Sequence, residues 1–340
     1  MDLAELERTA RALVAPGKGI LAADESTGTI KKRFDSIGID STEENRRAYR
    51  EILFTTPGME QFISGVIMFD ETIRQSTSDG VSFTKALEAV GVIPGMKVDA
   101  GAKPLAGFPG EQVTEGLDGL RERLAEYREL GARFTKWRAV ITIGDGIPTR
   151  TCIEGNAEAL ARFAALSQEA GLVPIVEPET LMEGDHTIER HYDATRRTLV
   201  EVFDRLFAHR VELTGTLLKT NMVLSGKSAS EQAGVEEGGR WTLRVLRETV
   251  PPAIRGIVFL SGGQTDEAAT AHLSEMNRRG GVPWELSFSY GRALQAPALK
   301  AWAGKPSNVE AGKRAFYRRA RLNGAARTGS YTPDMEDAAA

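Results

Sequence analysis

Lys219 ends a short apolar run of the sequence and is the first candidate for chemistry. Lysine is seldom buried, because removing an ammonium group from water costs free energy. In a cation-rich or low-dielectric pocket the pKa of a lysine falls, and the neutral amine then attacks carbonyl carbons. The segment Leu217-Leu218-Lys219-Thr220-Asn221 predicts a buried strand that presents this amine at its exit. A lysine that reaches solvent at a strand end is the alternative, and the rest of the chain decides between the two.

Polar side chains also follow most of the other short apolar runs. The eight runs lie at residues 19–23, 65–69, 92–96, 134–141, 172–176, 217–221, 256–260 and 284–289. The polar residues at their ends are Asp24, Lys97, Lys136 with Arg138, Glu177 with Glu179, Lys219, Ser261 and Arg292. Solvation explains one charge at a strand end, but seven polar ends out of eight indicate a shared functional site.

Each apolar run is followed by sequence with helical periodicity, so strands and helices alternate along the chain. Eight such units in 340 residues predict parallel pairing, right-handed crossovers and a closed (β/α)8 TIM barrel. An open, doubly wound sheet is the alternative, although no Gly-x-Gly-x-x-Gly follows the first strand. We predict a single α/β domain, residues 1–323, with an extra N-terminal helix, and a mobile C-terminal tail, residues 324–340.

In a barrel the active site lies at the C-terminal ends of the strands, and the two-residue period of a strand decides which side chains reach it. Lys136 and Arg138 are two residues apart and share one face, while Trp137 faces the outer helices. By the same period, Leu217 shares the face of Lys219. We therefore expect the inward amine to lie among other cations.

Glycine-bearing loops follow the seventh and eighth runs and predict a phosphate site. These loops are Ser261-Gly262-Gly263 and Tyr290-Gly291-Arg292. Glycine lets backbone N–H groups approach an anion, serine donates a hydrogen bond, and arginine grips an anion at two points. Lys97, across the mouth of the barrel, would suit a second anion. The alternative to a phosphate site is that these glycines serve only to form ordinary turns.

Metal and thiol chemistry fit the sequence poorly. The single cysteine, Cys152, excludes an internal disulfide and any cysteine-cluster metal site. The histidines lie away from the strand ends and are interpreted as helix-surface residues; they are His186, His191, His209 and His272. Because no histidine lies at a strand end, we predict no metal site there. For the same reason Ser261 has no base to activate it, and we predict no nucleophilic serine.

Composition is that of an ordinary globular protein, with 41% hydrophobic and 26% charged residues. The net charge of −4 argues against a nucleic-acid partner, which normally requires a basic face. No apolar run reaches the roughly 20 residues of a membrane helix, and the acidic start lacks the regions of a signal peptide. We expect a soluble, cytoplasmic protein without a membrane partner.

An inward lysine with flanking cations, paired carboxylates and two anion sites indicates carbonyl chemistry through a Schiff base. The iminium withdraws electrons from the adjacent C–C bond, which then breaks or forms without a metal cofactor. A nearby carboxylate would move protons at the departing hydroxyl.

Several motifs resemble those of the class I fructose-1,6-bisphosphate aldolases and cover nearly the whole chain. They lie at residues 19–28, 42–47, 97–99, 136–138, 173–179, 217–223, 259–264 and 288–295, in the order of that family. The resemblance implies reversible cleavage of fructose 1,6-bisphosphate to dihydroxyacetone phosphate and glyceraldehyde 3-phosphate, in glycolysis and gluconeogenesis. It also implies a homotetramer.

The resemblance further implies a role for each residue of the site. Lys219 would form the Schiff base, Glu177 would act as general acid and base, and Asp24 would hold the substrate hydroxyl at the scissile bond. Glu179 and Lys136 would support formation of the Schiff base. The phosphate ligands would be Ser261, Gly262, Gly291 and Arg292 near the ketone, and Ser26, Lys97 and Arg138 at the distal end.

Two alternatives to this function remain open from the sequence. A Schiff-base aldolase for another sugar phosphate is disfavoured by the presence of both anion sites. A barrel that binds partners or forms filaments without catalysis would have lost one of the reacting residues. All four are present: Lys219, Glu177, Lys136 and Asp24.

One departure from the resemblance concerns the C-terminal tail. Animal and plant members end in a tyrosine that helps proton exchange on the enamine. Tyr331-Thr332-Pro333 is similar to the start of that tail, and no tyrosine follows Tyr331. We expect a water molecule or a carboxylate of the barrel to protonate the enamine, in a step that limits turnover.

Overall fold

The computed structural model describes residues 2–337, within which eight parallel strands close into a barrel. Around the barrel the strand order is β1-β10-β9-β8-β7-β6-β3-β2. These strands are β1 Gly19–Ala23, β2 Ile63–Met68, β3 Ile93–Lys97, β6 Phe134–Ile141, β7 Val173–Thr180, β8 Leu217–Thr220, β9 Gly256–Phe259 and β10 Glu285–Tyr290. The predicted (β/α)8 barrel is confirmed, and the open-sheet alternative is wrong.

A separate antiparallel hairpin follows β3 and was not predicted. It consists of β4 Gly101–Pro104 and β5 Gln112–Glu115. Both strands are short and partly exposed, so their sequence lacks the apolar pattern that identifies a barrel strand. The hairpin matters for the site, because Gly101 and Ala102 line the cavity at the mouth of the barrel.

Helices cover the outside of the barrel, and threonines begin several of them. Thr42, Thr149, Thr187 and Thr265 each accept a backbone N–H at a helix N-terminus, an interaction worth about 1 kcal/mol. No helix within residues 2–337 is long and apolar enough to span a membrane. The helices are α1 Leu3–Leu13, α2 Thr27–Asp35, α3 Glu43–Phe54, α4 Asp70–Ile73, α5 Phe83–Ala89, α6 Leu120–Glu129, α7 Arg150–Glu169, α8 Ile188–Ala208, α9 Val235–Thr249, α10 Asp266–Arg279, α11 Arg292–Trp302 and α12 Val309–Arg327.

The strands separate two apolar layers, as their two-residue period requires. Trp137 faces outward and stacks on Phe163 of α7 with ring centroids 5.7 Å apart, and Leu218 joins the same outer layer. The inner layer fills the lower barrel with Ile20, Ala22, Ile67, Phe134, Val173, Ile175, Leu217 and Val258, against Leu6, Ala10, Leu13 and Val14 of the first helix and its end. This helix closes the N-terminal end of the barrel, so the interior opens at the C-terminal ends of the strands.

The last part of the chain packs on α10 and α12. Helix α12 continues through Arg327, so residues 324–327 of the predicted tail are helical. Tyr331 is buried, and a 3-10 helix, Pro333–Glu336, is held by an ion pair of 2.6 Å between Arg319 and Glu336. Residues 338–340 of the predicted tail, like Met1 of the predicted domain, lie outside the described residues. Mobility of the tail stays a prediction.

Candidate active site

A cavity of about 690 Å³ opens at the C-terminal ends of the barrel strands. The structure brings every site residue predicted from the sequence to the wall of this cavity. These residues are Asp24, Ser26, Lys97, Lys136, Arg138, Glu177, Glu179, Lys219, Ser261, Gly262, Gly291 and Arg292. Such a cavity, with polar groups converging from many strands, is where barrel enzymes carry out their chemistry.

Four charged side chains, three of them buried, form the centre of the cavity. The Nζ atom of Lys219 lies 3.1 Å from Oε1 of Glu177, and the Nζ atom of Lys136 lies 3.2 Å from Oε2 of the same carboxylate. Lys136 also pairs with Oδ2 of Asp24 at 2.6 Å. Cation and carboxylate therefore alternate across the floor of the cavity, in the order Lys219, Glu177, Lys136 and Asp24. Lys219 is only 4% exposed.

The alternation of charge keeps Asp24, Glu177 and Lys136 ionised. Burial by itself would raise the pKa of Asp24, but Lys136 and Lys219 outweigh it and hold this pKa well below its usual range. Burial would likewise raise the pKa of Glu177, and Lys136, Lys219 and Arg138 lower it instead. The pKa of Lys136 is raised because Asp24 and Glu177 overcome the effect of burial. Glu177 thus faces Lys219 as a carboxylate.

Strand register explains why these side chains meet. β3, β6 and β7 are neighbours in the barrel, and their register places Lys97 opposite Lys136 and Arg138 opposite Glu177. Because residues two apart share a face, one strand contributes two groups to the same cavity. β7 contributes Glu177 and Glu179 in this way. Proline is usually confined to places where a ladder ends, yet Pro178 lies between the two glutamates and the ladder to β6 continues through Thr180.

The loops that follow β9 and β10 form a candidate anion-binding site around Arg292. Its guanidinium donates to the carbonyl oxygens of Gly262 at 2.8 Å and Gln264 at 2.7 Å, which ties the two loops together. Gly262 has a φ of 54°, a value that favours glycine. Helix α11 begins at Arg292, so its first backbone N–H groups are free to bind an anion.

A second basic region lies across the cavity. Lys97 pairs with the buried carboxylate of Asp99, and Arg138 pairs with Glu179. Asp99 also accepts hydrogen bonds from the backbone N–H groups of Gly101 at 3.1 Å and Arg138 at 3.2 Å. These carboxylates hold the two basic side chains over the cavity, where an anionic group of a ligand would meet them.

Three charged residues of the cavity wall were missed by the sequence interpretation: Glu25, Arg33 and Asp99. Asp99 stands two residues beyond Lys97 and shares its face. Arg33 lies on α2 and pairs with Glu25, which also pairs with the buried Arg50 at 2.6 Å. The sequence does carry a signal for Arg33, because it follows Ser26 by two helical turns and therefore lies on the same face of α2.

The interpretation of the histidines as helix-surface residues is wrong for three of the four. His186, His191 and His272 are buried, and the rings of His186 and His191 contact edge-to-face with centroids 5.1 Å apart. His191 lies on the inward stripe of α8, three residues after Ile188 and three before Ala194. Within residues 2–337 no cluster of three or more His, Cys, Asp or Glu residues is arranged to hold a metal ion.

Replacing Lys136 with methionine is expected to destabilise the fold by about 3–5 kcal/mol at neutral pH, because the buried carboxylate of Glu177 and the partly buried carboxylate of Asp24 lose their shared cation. The folded pKa values of Asp24 and Glu177 lie below their unfolded values, so this stabilisation is present above the unfolded carboxyl pKa. It is lost as pH falls through the folded values. The deficit of the variant should therefore shrink as pH is lowered, since its carboxyls take up protons first.

Urea unfolding at a series of pH values measures this deficit. The control is Arg150→Met, which breaks an exposed pair with Glu154 and should cost no more than about 1 kcal/mol at any pH. A Lys136→Met deficit that stays constant from neutral to acidic pH would contradict the assigned charges.

Comparison with known proteins agrees with this geometry. The family model described as Fructose-bisphosphate aldolase class-I matches residues 5–340. A probable fructose-bisphosphate aldolase class 1 of Xanthomonas campestris pv. campestris is 60% identical over 97% of this chain and 99% of its own length. The fructose-bisphosphate aldolase of Dictyostelium discoideum is 51% identical over 96% of this chain and 93% of its own.

A solved structure is similar over nearly all of the fold. It is the fructose-bisphosphate aldolase of Plasmodium falciparum, crystallised with TRAP and a small-molecule inhibitor. The TM-score is 0.96 at 48% sequence identity, and the match covers 97% of this chain and 95% of the other. With a family match over almost the whole chain and a barrel whose cavity presents a buried lysine, the chain belongs to the class I fructose-bisphosphate aldolases.

Proposed function

We propose that this enzyme cleaves fructose 1,6-bisphosphate reversibly into dihydroxyacetone phosphate and glyceraldehyde 3-phosphate through a Schiff base on Lys219. The observation that carries the proposal is the buried amine of Lys219, 3.1 Å from the carboxylate of Glu177. The amine lies in a cavity with basic groups on opposite walls. The Schiff-base mechanism and a place in glycolysis and gluconeogenesis are general for the family to which the chain belongs.

The first step joins the enzyme to the substrate. After losing a proton, the amine of Lys219 attacks the ketone carbon and forms a carbinolamine. Glu177 donates a proton to the departing hydroxyl, which leaves as water, and the nitrogen becomes an iminium. Glu177 suits this task because its carboxylate bridges the two lysines and can exchange protons with the amine.

The second step breaks the sugar chain. The hydroxyl beside the scissile bond gives its proton to Glu177, with Asp24 holding that hydroxyl, and becomes the aldehyde of glyceraldehyde 3-phosphate. The bonding electrons move to the iminium nitrogen and leave an enamine. Protonation of the enamine carbon and hydrolysis of the resulting iminium release dihydroxyacetone phosphate and restore Lys219.

Neighbouring charges support these proton transfers. Lys136 stays protonated between Asp24 and Glu177 and stabilises both carboxylates when substrate protons move. Glu179 neutralises Arg138 beside Glu177, which limits the positive charge around the Schiff base.

The two phosphates of the substrate would bind at opposite sides of the lysine. Ser261, Gly262, Gly291 and the N-terminus of α11 at Arg292 would hold the phosphate next to the ketone. The guanidinium of Arg33 reaches this side as well. Its Nη2 atom lies 3.7 Å from the position that a Cβ atom would occupy at Gly291. The distal phosphate would meet Lys97 and Arg138, with Ser26 at the N-terminus of α2; all three line the cavity.

Borohydride reduction in the presence of dihydroxyacetone phosphate tests the proposed function. A secondary amine should form on Lys219 and be found by peptide mapping after proteolysis. We also propose that no metal takes part, so cleavage should survive prolonged dialysis against a strong chelator. Absence of an adduct, or an adduct on another lysine, would rule out the proposed mechanism.

Replacing Lys97 with methionine should separate the two phosphate sites. The variant is expected to lower kcat/KM for fructose 1,6-bisphosphate by about 100-fold, since a charged hydrogen bond to phosphate is worth about 1.5–3 kcal/mol. For fructose 1-phosphate, which has no distal phosphate, the loss should stay within about threefold. Lys103→Met, at an exposed position on β4, is the matched control. Equal losses for the two sugars would refute the assignment of Lys97.

We also propose that the enzyme is cytoplasmic and assembles as a homotetramer. Support for the compartment comes from a cytosolic relative of Arabidopsis thaliana, a fructose-bisphosphate aldolase that is 51% identical over 98% of this chain. Support for the assembly comes from the family resemblance of the sequence. Sedimentation analysis of the purified protein measures the assembly directly.

A further inference from the structure

The ladder at the seam between β7 and β8 is short, and the reacting residues stand just beyond its end. The β7–β8 ladder includes Ile175↔Leu217 and Val176↔Leu218, and it ends one residue before Glu177 and Lys219. Pro178 has no N–H with which to extend pairing beyond that point. Backbone pairing across this seam therefore does not set the spacing of the two reacting side chains.

The ladders that join β7 to β6 and β8 to β9 extend past the level of Glu177 and Lys219. The β6–β7 ladder continues to Ile141↔Thr180, and the β8–β9 ladder continues to Thr220↔Phe259. β7 and β8 are thus each anchored to their outer neighbour but end their mutual ladder at the level of the chemistry. A contact that joins their ends would act on the distance between Glu177 and Lys219.

The side chain of Asn221 makes such a contact. Its Oδ1 accepts a hydrogen bond of 3.0 Å from the backbone N–H of Thr180, the residue that ends β7. Its Nδ2 donates to Thr195 Oγ1 at 3.0 Å and lies 3.1 Å from Nε2 of His191, both on α8. Asn221 is 5% exposed and stands two residues after Lys219, so it spans the open part of the seam from the lysine strand.

The backbone N–H of Thr180 gives the amide of Asn221 its direction, because only the amide oxygen can accept from it. Burial lowers the pKa of His191 to about 4, so the ring is neutral and offers one donor and one acceptor. Nδ1 lies 2.8 Å from the carbonyl oxygen and 3.2 Å from the backbone nitrogen of Leu224, and Nε2 lies 3.1 Å from Nδ2 of Asn221 and 3.3 Å from the carbonyl oxygen of Thr180. With Oδ1 of the amide facing Thr180, Nδ2 is directed at His191 and Thr195.

We propose that Asn221 is a positioning residue that clamps the ends of β7 and β8 together and so holds Lys219 against Glu177. The clamp rests on the proposed function, because it matters for catalysis only if Lys219 and Glu177 are the reacting pair. Positional accuracy of this kind has large effects, since a misplacement of about 1 Å costs roughly 100-fold in rate. Asn221 itself does not line the main cavity and has no part in binding the substrate.

The test compares two nearly isosteric replacements. Asn221→Leu keeps the branched shape of the side chain and removes the acceptor for Thr180, whereas Asn221→Asp keeps an acceptor oxygen. Asn221→Leu is expected to slow borohydride trapping and to lower kcat by about 30-fold to 100-fold, with KM within about threefold. Asn221→Asp should retain kcat to within about fivefold, because the bond to Thr180 survives.

The pH profile distinguishes positioning from general loosening. Lys219 is one of the cations that lower the pKa of Glu177, so a wider gap between them in Asn221→Leu should move the acid limb of kcat/KM to higher pH. The control is Thr195→Val, which removes a partner of the amide but leaves the bond to Thr180. It should change kcat by less than about threefold and leave the acid limb in place.

The outcomes separate this inference from the proposed function. If wild-type Lys219 is not trapped, the proposed function fails; if it is trapped and Asn221→Leu matches wild type, only the clamp fails. Equal losses in Asn221→Leu and Thr195→Val, or loss of activity in a folded Asn221→Asp variant, would also overturn the clamp. Should Asn221→Leu not fold, Asn221→Ala carries the same comparison, because it too removes the acceptor.

Discussion

A Lys219→Met variant is expected to lose kcat by a factor of about 10⁴ or more and to form no borohydride adduct with dihydroxyacetone phosphate. Methionine keeps the length of the side chain but has no amine, so the covalent intermediate cannot form. The fold should survive, because Lys136 still lies 3.2 Å from Glu177 and compensates its buried charge. Single-turnover trapping and steady-state cleavage measure the two losses independently.

The matched control for this variant is Lys227→Met, at an exposed position in the loop after β8. It should keep kcat within about threefold and give the adduct on Lys219. The informative contrary result is an adduct on Lys136 in Lys219→Met together with residual activity, since Lys136 is the other buried lysine of the cavity. That result would exchange the roles of the two lysines.

The second large effect is expected for Glu177→Gln, which should lower kcat by about 10³-fold with a smaller change in KM. Glutamine fills the same space but cannot carry a proton to the departing hydroxyl or take one from the sugar. Trapping with borohydride should also become slow, because dehydration of the carbinolamine precedes the trapped iminium. Rapid-quench measurement of adduct formation isolates this step.

The pH dependence of the same variant tests the charge of Glu177. Lys136, Lys219 and Arg138 overcome burial and lower the pKa of Glu177, so in wild type the base form persists below the usual carboxyl range. As pH falls through that lowered pKa, the wild-type rate should drop, and Glu177→Gln should show no such limb. Glu183→Gln, at an exposed position after β7, is the control and should follow the wild-type profile. A Glu177→Gln variant with a tenth or more of wild-type kcat would contradict the assignment.

Much of the candidate site could be predicted because strand periodicity is local. Once residues 134–141 are recognised as a strand, a period of two places Lys136 and Arg138 on one face and Trp137 on the other. The barrel then brings all strand ends to one mouth, so Lys219 and Glu177 converge although 42 positions of the sequence separate them. Neither step requires any knowledge of side-chain packing.

Other features depend on packing that no local pattern encodes. The β4–β5 hairpin was missed because its short, partly exposed strands carry little apolar signal. The histidines were misplaced because a polar residue on the inward stripe of a helix is buried only if partners exist across the interface. For His191 those partners are Asn221 and the carbonyl of Leu224, which belong to a distant segment.

The (β/α)8 class, the strand that carries Lys219 and the set of charges around the mouth follow from periodicity and strand order, so local sequence is enough to predict them. The pairing of the charges depends on the folded barrel, since Glu177 could have contacted either lysine and in fact bridges both. The folded barrel also sets where the β7–β8 ladder ends, before the reacting pair, and brings Asn221 to the strand ends beyond it. Register and hydrogen-bond direction are set by the closure of the whole barrel, which no single segment contains.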